Sequence, residues 1–147
     1  MGRLPRAMHE ASVNADRVRT VAFTHTHIDH TNGLVLPSGE AAFPNLSRLL
    51  VPRAEMELFR GEPRLERYHG RAEPLDGGQR IDAHIEAVAA PGHEVGHSYF
   101  RVTSGSEVLL IWGDLVHVPS VQFDRPEITW EVDADQDMAR APRGSRP

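Results

Sequence analysis

The apolar positions of this chain fall in short runs separated by turn residues, a strand-rich pattern with interspersed helix. Val18 to Thr24 (VRTVAFT) is apolar and β-branched with no breaker, which predicts a buried strand. Leu46 to Val51 (LSRLLV) predicts a second strand. Pro52 ends it and opens a helix over 53–60. Ile81 to Ala90 holds one or two strands, closed by Pro91-Gly92. His97 to Thr103 alternates, Ser104-Gly105-Ser106 makes a hairpin turn, and Glu107 to Trp112 returns to Gly113-Asp114. Residues 1–17 read as a polar helix or arm, and 61–80, rich in Gly, Pro and charge, as a surface loop. A helix beginning in DADQDMARA stops abruptly, and ARAPRGSRP carries no apolar periodicity. The expected organisation is one domain over 1–138 and a disordered tail over 139–147. There is no internal repeat.

Composition narrows the chemistry. A length of 147 residues suits one domain, with enough chain to bury a core. No apolar run is long enough to span a membrane, and MGRLPRAMHEASVNADR lacks the apolar stretch of a secretory signal, so a cytoplasmic location is expected. A net charge of −5 disfavours a nucleic-acid partner, which wants a basic stripe. With no cysteine, disulfides, thiolate ligands and a Cys nucleophile are excluded. Any metal must be held by His nitrogens and carboxylate oxygens.

Nine histidines are present, and they cluster. His25 and His27 are two apart in an extended segment, so both imidazoles leave the same side of the backbone. Asp29 and His30 follow as the chain turns and project elsewhere, which suits two neighbouring metal sites better than one. A surface His-rich turn is the competing reading, but three His and one Asp in six residues directly after a buried strand point to a site. In PGHEVGH, the Pro-Gly turn aims His93, the expected ligand, while His97 is given a supporting hydrogen bond. Asp114 follows the apolar strand through Gly113, where an acid is costly unless paired or bound to metal. A turn or helix-capping Asp is the alternative there. His117 is expected to line the pocket or cap the loop. His9, His69 and His84 have no partners in sequence and read as ordinary histidines.

H-x-H-x-D-H, then P-G-H-x-x-G-H, then an apolar strand ending in G-D, resembles the ordered signature of the metallo-β-lactamase superfamily, over roughly residues 18–140. WGDLVHVPSVQFDRPEITWEVDAD further resembles the methyl parathion hydrolase-like and lactonase-like branch. The resemblance implies an α+β fold, the four-layer αββα sandwich, here incomplete. It implies up to two Zn2+ ions, with Fe or Mn as alternatives: one on His25, His27 and His93, a second on Asp29 and His30, and Asp114 between them. Asp29 would also orient the attacking hydroxide. Two departures stand out. Little chain precedes the first motif, and no His follows His117, so the second ion should be held weakly.

The function implied is a metal-dependent hydrolase of an ester, lactone or organophosphate-type small molecule. The alternatives are a persulfide dioxygenase-like iron enzyme and a non-catalytic or fragmentary metal-binding domain. A nuclease fits the acidic charge poorly. The oligomeric state is open, a homodimer included.

Overall fold

A computed structural model of the chain describes residues 3–144. Its centre is β2 (Arg48–Pro52), where Leu49, Leu50 and Val51 are completely buried. β1 (Thr20–Ala22) and β3 (Ala72–Leu75) flank β2, both parallel to it, with Val21 beside Leu49 and Val51 beside Pro74. An unbroken apolar run is what a parallel strand covered on both faces requires.

Successive side chains of β2 face opposite ways and serve two cores. Leu49 and Val51 pack with Phe23, Leu34, Phe43 and Phe59. That core is covered by α3 (Met56–Gly61) and by Met8 of α1 (Leu4–Glu10). Leu50 faces the other way, toward Leu75, Ala87 and Phe100. Ala87 and Phe100 belong to an antiparallel sheet of β4 (Ile85–Ala89), β5 (Ser98–Ser104) and β6 (Glu107–Ile111), in that order. Helix, sheet and sheet therefore stack in the layer order expected of the sandwich.

Two expectations are corrected. Residues 61–80 are not simply a surface loop. Pro63–Arg71 is a 3-10 helix that buries Leu65 and Tyr68, and the Tyr68 hydroxyl donates to the Leu34 carbonyl at 2.7 Å. β3 follows it, on the sheet edge where Pro74 is tolerated. The charged majority of the segment hid these two anchors. The disordered tail expected from 139 onward is instead helical as far as Gly144: the short helix α4 (Pro119–Gln122) is followed by α5 (Gln136–Gly144). Ala139 is buried there, and the Arg143 charge is neutralised by Asp133. Residues 145–147 of that tail lie outside the described residues.

β6 has a strand partner on one side only among the described residues. Leu109 and Ile111 lie opposite Val102 and Phe100 and so share their face. Yet they are 60% and 48% exposed. No helix among the described residues is long and apolar enough to cross a membrane.

Candidate metal centre

The site forms where strands of both sheets end. β1 runs through Phe23 and Thr24 to His25, which is completely buried. The backbone then turns, and His27 precedes the short helix α2 (Ile28–Thr31), which carries Asp29 and His30. The turn Ala90–Gly96 joins β4 to β5 and delivers His93. β6 leaves through Gly113 to Asp114. Gly113 has φ +56°, and a Cβ there would stand 2.7 Å from Thr24 Oγ1 and 3.0 Å from His97 Nε2. Only glycine lets this strand exit so close to the first motif.

The structure brings together His25, His27, His30, His93 and Asp114. His25 is ringed by His30, His27 and His93, with ring centroids at 4.1, 4.6 and 4.8 Å. His93 Nε2 is 3.1 Å from His27 Nδ1. Asp114 stands between two groups: its Oδ1 is 3.1 Å from His30 Nε2, and its Oδ2 is 3.4 Å from both His93 Nε2 and His117 Nε2. Three sets present ligand atoms within 4.8 Å of one another: His25, His27 and His93; His25, His30 and Asp114; and His93, Asp114 and His117. Asp29 is in none of them. Its side chain is 74% exposed, and its Oδ2 lies 3.6 Å from His30 Nε2. It stands at the rim. His117 lies on the same Asp114 oxygen as His93, away from His30.

His25, His27 and His93 each have one nitrogen engaged outside the cluster, which leaves the other facing inward. His25 Nδ1 meets Thr24 Oγ1 at 3.2 Å, and its buried Nε2 has no hydrogen-bond partner. His27 Nε2 meets Glu94 Oε1 at 2.7 Å. His93 Nδ1 meets Asp133 Oδ1 at 3.2 Å. Both nitrogens of His117 are buried without a hydrogen-bond partner. Crowded imidazoles with inward lone pairs repel one another unless a cation lies among them, and nitrogen with carboxylate oxygen is a donor set for zinc. The residues present thus fit a divalent metal.

Three residues that hold this geometry escaped the sequence reading. Glu55 is completely buried and bridges the loops that carry His27 and His93. It accepts the Thr26 amide at 2.6 Å, the Thr26 hydroxyl at 2.7 Å and the Gly96 amide at 3.1 Å. Burial pushes its carboxyl pKa up, against the Thr26 hydrogen bonds. A Cβ on Gly96 would lie 2.7 Å from Glu55 Oε1, so the approach needs glycine. Asp133 and Arg143 are the others. Burial alone would raise the Asp133 carboxyl, but the Trp130 amide and the Arg143 guanidinium outweigh it and hold the pKa below the usual range. A buried acid after Pro52 and an acid-arginine pair ten residues apart were the available signals, each lost among solvated charges. His97 was expected to make a supporting hydrogen bond, without a named partner; its Nε2 accepts the Asp114 amide at 3.1 Å while Nδ1 donates to the Ala90 carbonyl at 3.1 Å.

Burial, with repulsion from His30, His97, His93 and His27, drives the His25 pKa down to about 2. Burial likewise takes His97 to about 4, against its hydrogen bond to Ala90. Both folded values lie below the ordinary 6.5, so between pH 6.5 and about 4 the unfolded chain binds protons that the folded one does not. The metal-free protein should keep this stability above pH 6.5 and lose it as the pH falls through that window. The slope is about 1.4 kcal/mol per pH unit for each histidine. Urea midpoints measured from pH 7 to 4 read it directly, and a flat profile would contradict it.

Beside His30 and Asp29 opens a half-open groove of about 1000 Å³. Leu4, Pro5, Met8, Val13, Leu36 and Phe43 give it an apolar lining.

The family model described as the metallo-beta-lactamase superfamily matches residues 2–145. The search of curated proteins gives no match. Among solved structures, the chain is similar to AidC, a dizinc quorum-quenching lactonase in complex with the product N-hexanoyl-L-homoserine. The TM-score is 0.81 at 24% identity, over 97% of this chain and 57% of that one. It is similar to the hydrolase AbOPH of the beta lactamase superfamily, with TM-score 0.84 and 25% identity over 97% and 56%. It also resembles an N-acyl homoserine lactone hydrolase with N-hexanoyl-L-homoserine bound at its catalytic metal center, with TM-score 0.70 and 20% identity over 93% and 53%. The chain therefore spans a little over half the length of these relatives.

Proposed function

Because this chain belongs to the metallo-beta-lactamase superfamily, we propose that its histidine cluster is the metal centre of a hydrolase acting on esters or lactones with an apolar substituent. One observation carries this reading: the inward nitrogens of His25, His27 and His93 meet beside Asp114, with His25 Nε2 buried and unpartnered. His25 Nε2, His27 Nδ1, His93 Nε2 and Asp114 Oδ2 would hold the first ion. His30 and Asp114 Oδ1 would hold a second, with Asp29 reaching in from the rim. When bound, such ions supply Lewis-acid polarisation and activate water at neutral pH.

The chain's own residues then divide the work. Asp114 fixes the spacing between the two groups of histidines. Asp29, solvent-facing beside His30, orients the attacking water and takes up its proton. His117 turns its Nε2 toward the same carboxylate and lines the reacting space. The apolar groove takes the substituent, each buried methylene contributing about 0.8 kcal/mol to binding. Lactones are favoured over phosphotriesters because two of the relatives hold N-hexanoyl-L-homoserine. His25 and His93 of the first set are buried, whereas the second set leans on an exposed Asp29, so one tightly held ion per chain is expected, with a second held loosely.

The test is hydrolysis of N-acyl homoserine lactones of increasing acyl length, before and after chelation, with metal content measured after exhaustive dialysis. Activity should require the metal, and KM should fall with acyl length. Hydrolysis that survives complete metal removal would refute the reading, as would zinc-loaded protein inert toward lactones and acyclic esters alike.

A further inference from the structure

The most deeply buried ion pair among the described residues lies behind His93, outside the ligand cluster. The side chains of Asp133 and Arg143 are 0% and 1% exposed. Arg143 Nη2 reaches both carboxylate oxygens, at 3.0 and 3.2 Å. The same carboxylate accepts the Trp130 amide at 3.0 Å and meets His93 Nδ1 at 3.2 Å. The guanidinium also donates to the Leu115 carbonyl, in the segment that carries Asp114.

The backbone repeats this connection. The Ala134 amide donates to the His93 carbonyl at 3.1 Å and the Asp135 amide to the Gly92 carbonyl at 2.8 Å. Gly92, at φ +135°, lies so close to α5 that a Cβ would stand 2.2 Å from the Ala139 nitrogen. The turn bearing His93 and the start of α5 are thus packed backbone to backbone.

A buried ion pair is seldom more stable than apolar residues of the same volume, because desolvation offsets the attraction. Its position here suggests a different use. A carboxylate at Nδ1 keeps the proton on that nitrogen, stops the ring from turning, and leaves the Nε2 lone pair toward His27 and Asp114. Arg143 in turn holds the carboxylate ionised and in plane.

We propose that Asp133, clamped by Arg143, positions His93 for metal binding, so that α5 is part of the metal centre although it contributes no ligand. This rests on the metal-centre reading above. Asp133 and Arg143 are positioning residues and touch no substrate.

The test is zinc affinity, by competition with a chromophoric chelator. The variants are Asp133→Asn/Arg143→Met, which leaves no unpaired buried charge, and the same pair combined with His93→Ala. With His93 present, the paired change should weaken zinc binding roughly ten- to a hundredfold. In the His93→Ala background it should change affinity hardly at all. Arg143→Lys keeps the pair's charge but loses the fork, and should weaken zinc a few-fold even if the paired variant does not fold. Unchanged affinity in the variants that fold overturns the proposal. So does an equal loss with and without His93, which would mark a general structural effect. Wild-type protein that binds no zinc would instead overturn the metal reading on which it rests.

Discussion

Replacing His25 with alanine should remove tight zinc binding. An intact four-ligand zinc site is worth roughly 10–16 kcal/mol, so one ligand of such a set carries about 3 kcal/mol, more than a hundredfold in affinity. His25 is also the residue least replaceable by rearrangement. Its Nε2 is buried without a partner, and the rings of His27, His30 and His93 surround it. Thermal unfolding with and without zinc separates this role from simple packing. The wild type should gain stability with rising zinc, as a ligand that binds only the folded state requires. His25→Ala should lose that gain, and any cost in the metal-free protein reports only the cavity left behind. A variant with wild-type zinc affinity would remove His25 from the centre.

The second large effect is expected at Glu55, which never touches the cluster. Glu55→Ala strips the acceptors from the Thr26 amide, the Thr26 hydroxyl and the Gly96 amide at once. Hydrogen bonds to a charged group are worth about 1.5–3 kcal/mol each, though bonds to one carboxylate are not additive. A loss of about 3–5 kcal/mol is therefore expected, large against the usual margin of a single domain. Thr26 lies between His25 and His27, and Gly96 closes the turn of His93. The variant should thus also bind zinc more weakly, because the two loops lose their common anchor. Glu55→Gln keeps the shape and one acceptor and should cost less. Urea unfolding of the metal-free proteins gives the first number and chelator competition the second. A loss below about 1 kcal/mol for Glu55→Ala would mean that water replaces the carboxylate.

The residues of the cluster were legible in sequence because the chemistry of a metal site would constrain them locally. His25 and His27 must be two apart on an extended segment, and a Pro-Gly turn must precede His93 for the ring to be aimed. The run LSRLLV was equally legible, since a strand covered on both faces tolerates few polar residues. What supports the cluster was not legible. Glu55 earns its role through Thr26 and Gly96, partners 29 and 41 residues away. Asp133 depends on His93, 40 residues earlier. Nothing in the local spelling separates such a carboxylate from the solvated acids around it. The 3-10 segment was hidden the same way, with Leu65 and Tyr68 set among arginines and glutamates. Asp29 shows the opposite limit. The motif names it, but the side chain stands at the rim, because a motif fixes a residue's place in the chain and leaves its rotamer to the surroundings.

The uncovered strand β6 has a consequence for handling the protein. Its ladder is open on one side among the described residues, it carries no lysine or arginine, and its only charge is Glu107 at one end. Such an edge is a template for strand addition. At high concentration, colloidal loss should therefore begin at β6 before the fold itself gives way. Glu107 and Leu109 lie seven and five residues before Asp114 along the chain, and neither belongs to the imidazole cluster. Solubility and metal affinity are consequently separate properties of this chain, and a charge placed on Leu109 could improve the first without touching the second.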